Sequence, residues 1–420
     1  MNIWLIQTGE PLPTDGKNDR LLRMGILADL LVAGGHTVTW WASDFNHVRK
    51  IFRVGSDATL KVNAKLQIKL LHSIGYKKII SFQRILNHYG VAKKFAILAR
   101  KETPPDLILC SFPLIELSLE ATKYGRDMKV PVVLDVRDCW PDSFLDLLPV
   151  WLHWAGKIFL WPMFRNAARA FRQAYAISGA SHYLAQWGVE KAKRKFSSLD
   201  RSFPFGYISK APQAQELQTA EAFWDKVGIG RSDGWQNICF FGTIGYQIDL
   251  ETIIEAARML QEQNTRVRFI LCGHGDKLNL YKEKAADCKN IIFAGWVGFP
   301  EIWVLMRRSA MGLVPYKPFK QYQGNFPNKV IEYLSAGLPI LSSLEGLMEE
   351  LILAYQCGFM YKNGDAKGLT LMLQKIYPDH EIIKKVSDNA LALYKEKFTA
   401  EKVYAEMSNY LQEVVRAYAR

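Results

Sequence analysis

Residues 237–245 read N-I-C-F-F-G-T-I-G, an apolar run that ends in a loop with two glycines. Such a run followed by glycines is typical of a buried strand in a parallel sheet. Apolar residues at helical spacing over 249–261 predict a helix between this strand and a second apolar run at 267–272. Further strands are predicted at 291–294 and 311–314, with a helix at 302–309. Alternating strands and helices predict a Rossmann-like unit.

The first half of the chain shows the same alternation. Residues 2–8 predict a strand, 20–33 a helix that stops at Gly34, and 36–42 a second strand. A polar stretch at 209–218 predicts a linker. We therefore expect an α/β protein with two Rossmann-like domains, at 1–206 and 207–395. A final helix, 396–420, is expected to pack back toward the first domain.

Length and composition limit the class of protein. A chain of 420 residues suits two domains, and 49% apolar with 23% charged residues excludes disordered and collagen-like chains. The six cysteines form no Cys-x-x-Cys pair, which argues against a disulfide framework and a zinc site. We see no signal-peptide pattern and no uncharged apolar run of the roughly 20 residues that a membrane span needs. We expect a cytoplasmic protein that meets a membrane from one side only.

The net charge of +13 belongs to the first half. Residues 1–210 hold 30 Lys+Arg against 17 Asp+Glu, whereas residues 211–420 hold 24 of each. From 45 to 101 there are thirteen basic residues and one acid, Asp57. Such a field attracts phosphates, nucleic acid or anionic lipid, and the alternative is a solvated basic face. We find no nucleic-acid recognition module and expect no nucleic acid as partner.

The most informative motif is residues 323–340, Q-G-N-F-P-N-K-V-I-E-Y-L-S-A-G-L-P-I. A loop with Gly324 and Pro327 leads into a predicted helix at 328–336. The first turn of a helix offers free N–H groups and a positive dipole end, to which Lys329 adds a charge. Glu332 shares a face with Lys329 and can accept ribose hydroxyls. The motif predicts a phosphate-binding site, and an ordinary capped helix with an incidental ion pair is the alternative.

The order of four motifs resembles family 4 of the GT-B glycosyltransferases. These are F-G-T-I-G at 241–245, C-G-H-G at 272–275, I-F-A-G-W-V at 292–297 and the 323–340 segment. The resemblance covers nearly the whole chain and is closest to bacterial enzymes that assemble O-antigen or capsule repeat units. It implies a GT-B architecture, in which two Rossmann-like domains face a central cleft.

The resemblance also implies donor-binding residues. The first loop approaches the donor phosphates, the next two loops frame the base, and the carboxylate of Glu332 grips the ribose. Main-chain N–H groups of 325–329 would hold the sugar and phosphates. The donor-binding residues so implied are Gly16, Gly242, Thr243, Gly273, His274, Gly275, Trp296, Val297, Asn325, Phe326, Pro327, Asn328, Lys329 and Glu332.

The sequence departs from the family pattern at two places. The first glutamate of the family's Glu-x7-Glu motif falls on Gly324. Tyr246 and Gln247 stand where the phosphate loop usually carries a cation. More of the work of holding the donor phosphates therefore falls on Lys329, which we expect to be catalytic.

In the first domain the family's His-Asp pair corresponds to Arg137-Asp138, in L-D-V-R-D-C-W-P-D. Both residues are expected to be catalytic, because the arginine can grip a diphosphate and the carboxylate can orient or deprotonate an acceptor hydroxyl. A structural Arg-Asp pair at the start of the next helix is the alternative. Gly9 and Gly16 are expected to face the cleft, with Arg20 nearby.

No Asp-x-Asp sequence occurs in the chain. Metal-dependent GT-A transferases use that pair to hold a divalent ion on the diphosphate. We therefore expect no metal site and no cofactor, with the helix dipole and basic side chains stabilising the leaving nucleotide.

Four of the twelve tryptophans lie between 140 and 161, followed by three arginines. Aromatic anchors beside arginines suit the headgroup boundary of a membrane, and the basic stretch 75–101 adds attraction to an anionic surface. The expected acceptor and membrane residues are Lys77, Lys78, Arg84, Trp151 and Trp154. The alternative is that these aromatics form the core of a long interdomain helix.

The family resemblance implies retention at the anomeric carbon and a preference for UDP. Together with the patterns above, it predicts a metal-independent glycosyltransferase peripheral on the inner face of the cytoplasmic membrane. It would move a sugar from a nucleotide-diphosphate donor, UDP-linked by preference, to a polyprenyl-diphosphate-linked acceptor in the biosynthesis of lipopolysaccharide or another surface polysaccharide. The alternatives are a sugar-nucleotide epimerase or hydrolase of the same fold and a non-catalytic carbohydrate or polyanion binder.

Overall fold

The computed structural model describes residues 1–16, 21–78, 81–146, 148–230 and 233–420. Arg20, expected near the cleft, and Leu147, an apolar residue of the tryptophan-rich segment at 140–161, lie outside the described residues. The chain divides into two compact units, Met1–Gly206 with Ala400–Arg420, and Tyr207–Thr399. All six cysteines are free and buried.

The first unit is built on an eight-stranded sheet with the order β10-β9-β8-β7-β1-β2-β6-β5. All neighbours pair in parallel except β5, which runs antiparallel to β6. A two-stranded ribbon of β3 and β4 follows β2. The strands are β1 Asn2–Ile6, β2 Thr37–Ser43, β3 Phe45–Asn46, β4 Ile51–Phe52, β5 Ala58–Lys61, β6 Leu66–Leu71, β7 Leu107–Phe112, β8 Val132–Val136, β9 Ala176–Gly179 and β10 Arg201–Ser202.

Helices cover both faces of this sheet. Alternate residues of β1 enter different cores: Trp4 and Ile6 face one, Ile3 and Leu5 the other. The second core is completed by the last helix of the chain, through Tyr404 and neighbouring apolar residues. The helices of this unit are α1 Arg23–Ala33, α2 Phe82–Leu98, α3 Ile115–Met128, α4 Asp142–Leu145, α5 His153–Phe159, α6 Trp161–Gln173, α7 His182–Ala192 and α17 Ala400–Tyr418.

The second unit has a six-stranded parallel sheet with the order β13-β12-β11-β14-β15-β16. Its strands are β11 Gln236–Phe241, β12 Val267–Cys272, β13 Ile291–Gly295, β14 Met311–Val314, β15 Ile340–Ser342 and β16 Gly358–Met360. Its helices are α8 Ala214–Lys226, α9 Glu251–Glu262, α10 Leu278–Lys284, α11 Phe299–Arg307, α12 Lys320–Gln323, α13 Asn328–Ser335, α14 Leu347–Tyr355, α15 Ala366–Ile376 and α16 His380–Leu393.

In each sheet the strand order reverses between the first parallel strand and the fourth one along the chain. In the first unit this point lies between β1 and β7, and in the second between β11 and β14. In open α/β sheets ligands bind outside the carboxyl ends of the strands at such a topological switch point. The strand orders therefore place one candidate ligand-binding edge in each unit.

The linker predicted at 209–218 is partly wrong, because α8 begins at Ala214. The Glu216 carboxylate accepts a hydrogen bond from the backbone N–H of Gln213, which caps this helix. Ala220 and Trp224 are buried, and the Trp224 indole donates to the carbonyl of Glu301. The helix forms because its apolar face packs on α11, a contact that polar composition alone does not reveal.

Candidate functional site

The switch point of the second unit is anchored by Tyr333 of α13. Its hydroxyl donates to the carbonyl oxygens of Cys239 at 3.1 Å and Leu313 at 3.3 Å, one on each strand that flanks the switch point. A Cβ at Gly312 would lie 2.3 Å from the Tyr333 ring, so only glycine lets the ring lie on β14. One turn earlier on the same face of α13 stands Lys329.

Lys329 is buried beneath the loop that follows β11. Its Nζ lies 3.4 Å from the hydroxyl of Tyr316 and 3.9 Å from the centre of the Phe240 ring. A Cβ at Gly242 would come within 3.0 Å of this nitrogen. Burial lowers the pKa of Lys329 to about 7, although the carboxylate of Glu332 opposes the shift. The negative charge near this ammonium group is therefore too small to offset its burial, and an anionic ligand would stabilise its charged form.

Three successive loops at the carboxyl edge of the sheet are tied together by their backbones. Gly242 N–H donates to the carbonyl of Cys272 at 3.0 Å, and Gly273 N–H donates to that of Gly295 at 2.7 Å. Ile244 N–H donates to the carbonyl of His274 at 2.9 Å. The predicted donor-binding loops thus form one connected surface.

Glycine is required where these loops touch. Gly242 and Gly273 have φ of +138° and +134°, values that side-chain-bearing residues rarely adopt. A Cβ at Gly273 would lie 1.9 Å from the carbonyl oxygen of Gly242, and one at Gly275 would lie 2.1 Å from that of Ile244. The motif F-G-T-I-G with C-G-H-G therefore encodes close backbone packing.

The remaining predicted donor residues of this unit differ in exposure. Thr243, His274 and Asn328 are exposed, and Trp296 is 72% exposed, so these side chains are open to a ligand. The side chains of Val297, Phe326 and Glu332 are buried, and Phe326 packs on Phe398 at 6.1 Å between ring centres. Asn325, Pro327 and Gly275 are half-buried.

The departures from the family pattern have structural counterparts. Gly324 is buried and ends α12. Tyr246 is exposed and packs against Phe319 at 5.9 Å. The carbonyl of Gln247 accepts a hydrogen bond from the backbone N–H of Lys317 at 3.0 Å, which ties the phosphate loop to the residues after β14.

In the first unit, Arg137 follows β8 and joins a buried network of charges. Its guanidinium donates to Asp135 at 3.1 Å and to Glu10. Arg23 donates two hydrogen bonds to Asp135, both at 2.9 Å. Burial alone would lower the pKa of Arg137, but the carboxylates of Glu10 and Asp135 outweigh it and raise the pKa. One nitrogen, Nη2 of Arg137, is buried with no hydrogen-bond partner among the described residues.

Asp138 points away from this network. Its carboxylate accepts from the backbone N–H of Cys139 at 2.7 Å and from the indole of Trp140 at 2.9 Å. Burial raises its pKa, and these hydrogen bonds oppose the shift. Arg137 and Asp138 are adjacent in sequence, but the contacts of their side chains are different.

Gly16 is exposed with φ of +151° and belongs to the first unit, whereas the other predicted donor residues belong to the second. Its neighbour Asp15 accepts two hydrogen bonds from Arg53, at 2.5 and 2.6 Å. These contacts hold the Gly16 loop against the β3-β4 ribbon.

The predicted membrane residues lie on the surface, with one exception. Lys77 and Lys78 are exposed, and Trp151 and Trp154 are 72% and 66% exposed. Arg84 is half-buried, with its guanidinium carbon 4.9 Å from the centre of the Trp140 ring. The alternative of a long helix with these tryptophans in its core is wrong, because the segment forms the short helices α4 and α5 and exposes both side chains. Among the described residues, the structure contains no helix with an apolar run long enough to cross a bilayer.

Comparison with known proteins identifies the second unit. Residues 236–379 match the family described as Glycosyl transferases group 1. These residues form a group 1 glycosyltransferase domain. The match includes β11 to α15, and so contains Lys329, Glu332 and all three glycine loops.

A curated relative supports the glycosyltransferase assignment. The 2-deoxystreptamine N-acetyl-D-glucosaminyltransferase of Niallia circulans is 23% identical over 179 residues, 42% of this chain. The aligned region spans 45% of that enzyme's length, so the shared sequence is less than half of either protein.

Solved structures with the same fold extend over the whole chain. Anabaena HepE in complex with UDP and glucose has a TM-score of 0.68 at 13% identity, covering 98% of this chain and 100% of its own. Sucrose-phosphate synthase of Thermosynechococcus elongatus has a TM-score of 0.72 at 14% identity, covering 99% of each chain. WaaG, a glycosyltransferase involved in lipopolysaccharide biosynthesis, has a TM-score of 0.64 at 13% identity, covering 97% and 99%. The predicted GT-B fold is confirmed.

Sequence reasoning missed Glu10, Arg23 and Tyr316. Glu10 and Arg23 belong to the Arg137 network, and Tyr316 contacts Lys329. A signal for Tyr316 was available, because it follows directly after the strand at 311–314 in V-P-Y. No local signal marks Glu10 as a partner of a residue 127 positions away.

Proposed function

We propose that this glycosyltransferase moves a sugar, with retention at the anomeric carbon and without a metal, from a nucleotide-diphosphate donor to a lipid-linked acceptor in surface polysaccharide biosynthesis. The observation that carries the donor half is the buried Lys329 ammonium at the switch point of a group 1 domain, beside a glycine loop. A UDP-linked donor is favoured because HepE was solved in complex with UDP.

The donor site promotes transfer by stabilising the negative charge that develops on the leaving nucleotide. Transfer breaks the bond between the anomeric carbon and a diphosphate oxygen, so negative charge develops on the leaving nucleotide. Lys329 and the free N–H groups at the start of α13 stabilise that charge. The acceptor hydroxyl forms the new bond to the anomeric carbon and gives up its proton. With retention, the proton passes to the leaving diphosphate oxygen on the same face of the sugar.

Two residues of the first unit are proposed for the acceptor. The buried Nη2 of Arg137 has no partner among the described residues and can donate to an acceptor oxygen. The carboxylate of Asp138 accepts hydrogen bonds from Cys139 and Trp140, and we propose that it also orients the acceptor hydroxyl, whose proton passes to the leaving diphosphate oxygen. Glu10 and Asp135 act as positioning residues, because they hold the guanidinium of Arg137.

A membrane acceptor is supported by the exposed face of α5 and the turn before it. Val150, Trp151, Trp154 and Phe159 are 66% to 83% exposed, an arrangement that suits the headgroup boundary. The basic first half of the chain adds attraction to anionic lipid. We propose that the glycosyltransferase is cytoplasmic and peripheral on the inner face of the membrane.

The first experiment is a thermal-shift screen of the full chain with UDP, GDP, ADP, dTDP and CMP in the presence of EDTA. A ligand that binds only the folded protein raises its apparent stability. We expect UDP to raise Tm and CMP not to. Absence of a shift with every nucleotide would contradict the proposed donor site.

The second experiment measures transfer. The full chain is incubated with a UDP-sugar and a polyprenyl-diphosphate-linked monosaccharide in vesicles, with and without EDTA. We expect one sugar added per UDP released, an unchanged rate in EDTA, and the donor's anomeric configuration in the product by NMR. UDP release or an epimerised sugar nucleotide that needs no acceptor would instead indicate a hydrolase or an epimerase.

Glu332→Ala tests the ribose contact. The side chain is 4% exposed and one turn from Lys329. Loss of a charge-assisted hydrogen bond is worth about 1.5–3 kcal/mol, so we expect UDP affinity to fall about 10- to 100-fold by calorimetry. The matched control Glu255→Ala, at an exposed position of α9 in the same unit, leaves affinity unchanged. Equal UDP affinity in Glu332→Ala and wild type would reject this assignment.

A further inference from the structure

A second group of cations in the first unit surrounds Tyr76, after the carboxyl ends of β2 and β6. Tyr76 is buried, and its hydroxyl lies 2.6 Å from Nδ1 of His47. Lys50 places its Nζ 4.5 Å from the centre of the Tyr76 ring, and the guanidinium carbon of Arg84 lies 5.9 Å from the same centre. We call His47, Lys50, Tyr76 and Arg84 the Tyr76 cluster.

The ammonium group of Lys50 is the unusual member of this cluster. Its nitrogen is excluded from solvent and has no hydrogen-bond partner among the described residues. Lys50 also has φ of +58°, which is uncommon for a residue other than glycine, asparagine or aspartate. A cation held over an aromatic ring without a hydrogen-bonding partner loses hydration that the ring only partly replaces. An anion would supply what is missing, and the flexible lysine stem can turn toward it.

Burial lowers the pKa of two histidines in and beside the cluster, and positive charge adds to the shift. Burial, then Lys50 and Arg84, lower the pKa of His47 to about 4. Burial, then Arg84 and His47, lower the pKa of His88 to about 3. Burial lowers the pKa of Arg84, and Tyr76 and the carboxylate of Asp138 only partly oppose this shift. That carboxylate is itself bonded to Cys139 and Trp140.

The elements around the cluster carry exposed apolar side chains. On the ribbon, Val48 is 75% exposed, and on α2 Phe82 is 72% exposed and Ile85 45%. Arg84 also contacts Trp140, whose ring packs on Phe144 of α4, the helix before the exposed Trp151 segment. A buried cationic site beside exposed apolar residues fits an amphiphile with a phosphate head and a hydrocarbon chain.

We propose that the Tyr76 cluster binds the diphosphate of the polyprenyl-linked acceptor, with the hydrocarbon chain against the exposed residues of the ribbon and α2. This inference rests on the proposed function and deepens it. It assigns to Lys50 and Arg84 the specific recognition of the diphosphate, in contrast to the general attraction that exposed lysines exert on any anionic membrane.

The test is flotation of the full chain with phosphatidylcholine vesicles that contain a small fraction of polyprenyl diphosphate. Vesicles with an equal negative charge of phosphatidylglycerol are compared. We expect wild type to bind the diphosphate vesicles at least about tenfold more tightly, and Lys50→Gln with Arg84→Gln to abolish that difference. The charge-matched control is Lys61→Gln with Lys101→Gln, two exposed lysines of the same unit, which keeps the difference.

Equal binding of wild type to both kinds of vesicle overturns the proposal, and so does an equal loss in both double variants. A further measurement uses wild type alone and so does not depend on whether a variant folds. Millimolar inorganic pyrophosphate should displace wild type from the diphosphate vesicles to a greater extent than sulfate at twice that concentration. Failure of pyrophosphate to do so also overturns the proposal. The UDP affinity of wild type is measured in parallel. Absence of UDP binding would contradict the proposed function, whereas absence of selective vesicle binding would contradict only this inference.

Discussion

Lys329 is the residue whose protonation state should control donor binding. In the free protein its pKa is about 7, so at pH 8 most molecules carry a neutral amine. A diphosphate favours the ammonium form and raises this pKa on binding. We therefore expect nearly one proton to be taken up per UDP-glucose bound at pH 8 and almost none at pH 6, where the lysine is already charged.

Calorimetry of UDP-glucose binding in two buffers of different ionisation enthalpy measures this uptake directly. UDP-glucose is preferred to UDP because a terminal phosphate titrates near pH 6 and would add its own proton. In Lys329→Met the uptake should disappear and the affinity at pH 6 should fall by about tenfold or more. Uptake that persists in Lys329→Met would assign the proton to another group.

Gly242 should tolerate no side chain. Alanine there would adopt a strained φ of +138° and approach Lys329 Nζ to 3.0 Å. We expect Gly242→Ala to weaken UDP binding by about tenfold or more, measured by calorimetry. Gly245→Ala is the matched control in the same loop, because its Cβ would meet only the flexible end of Gln247. Similar affinities of the two variants would show that the Gly242 backbone does not shape the site.

At the scale of elements, buried charges connect β8, α1 and the loop after β1. Asp135 accepts from Arg23, Arg137 and Ser178, and the Arg23 and Asp135 side chains are fully buried. Removing one partner of a buried ion pair costs about 3–5 kcal/mol. We expect Asp135→Asn to lower the urea midpoint strongly at pH 7. Asp127→Asn, at an exposed ion pair, should change the free energy of unfolding by less than about 1 kcal/mol.

The same network predicts a pH dependence. Burial alone would raise the pKa of Asp135, but Arg23 and Arg137 outweigh it and lower the pKa below its ordinary value of 3.8. A carboxylate with a depressed pKa stabilises the folded state above about pH 4 and loses that contribution as the pH falls below it. The difference in urea midpoint between wild type and Asp135→Asn should therefore shrink from pH 4 to pH 2.5. A constant difference would mean that packing, and not charge, is responsible.

At the scale of the whole molecule, membrane association should have an apolar and an electrostatic part. Trp151→Ala with Trp154→Ala removes two exposed aromatic rings, and burying a large apolar side chain is worth about 1.5–3 kcal/mol. We expect at least about tenfold weaker binding to anionic vesicles at any salt concentration. Trp235→Ala, a partly exposed tryptophan of the second unit, should bind as wild type does.

The electrostatic part is tested by replacing Lys77, Lys78 and Arg84 with glutamine. Each cation near an anionic surface contributes about 1 kcal/mol, and salt screens this attraction. The triple variant should therefore lose binding mainly at low salt, and the two tryptophan substitutions at every salt concentration. An identical salt dependence of binding in wild type and the triple variant would show that these three cations do not contact the membrane.

Much of this molecule could be predicted from its sequence because the signals are local. Buried parallel strands appear as apolar runs, and glycines after them mark backbone contacts, as at Gly242 and Gly273. The helix after Pro327 and the position of Lys329 on it were also predictable. The polar start of α8 predicts a linker instead of a helix, because the stability of α8 depends on burying Trp224 against α11.

Sequence by itself determined the alternation of elements, the two Rossmann-like units and the residues available to bind phosphate, since each is a property of nearby residues. Only the tertiary structure decided that Lys329 is desolvated, that Tyr333 anchors α13 to β11 and β14, and that Arg137 belongs to a network with Glu10 and Arg23. The exposure of Trp151 and the convergence of Lys50 and Arg84 on Tyr76 were decided there as well. The physical reason is that burial and charge pairing depend on residues far apart in the chain, which only the folded protein brings together.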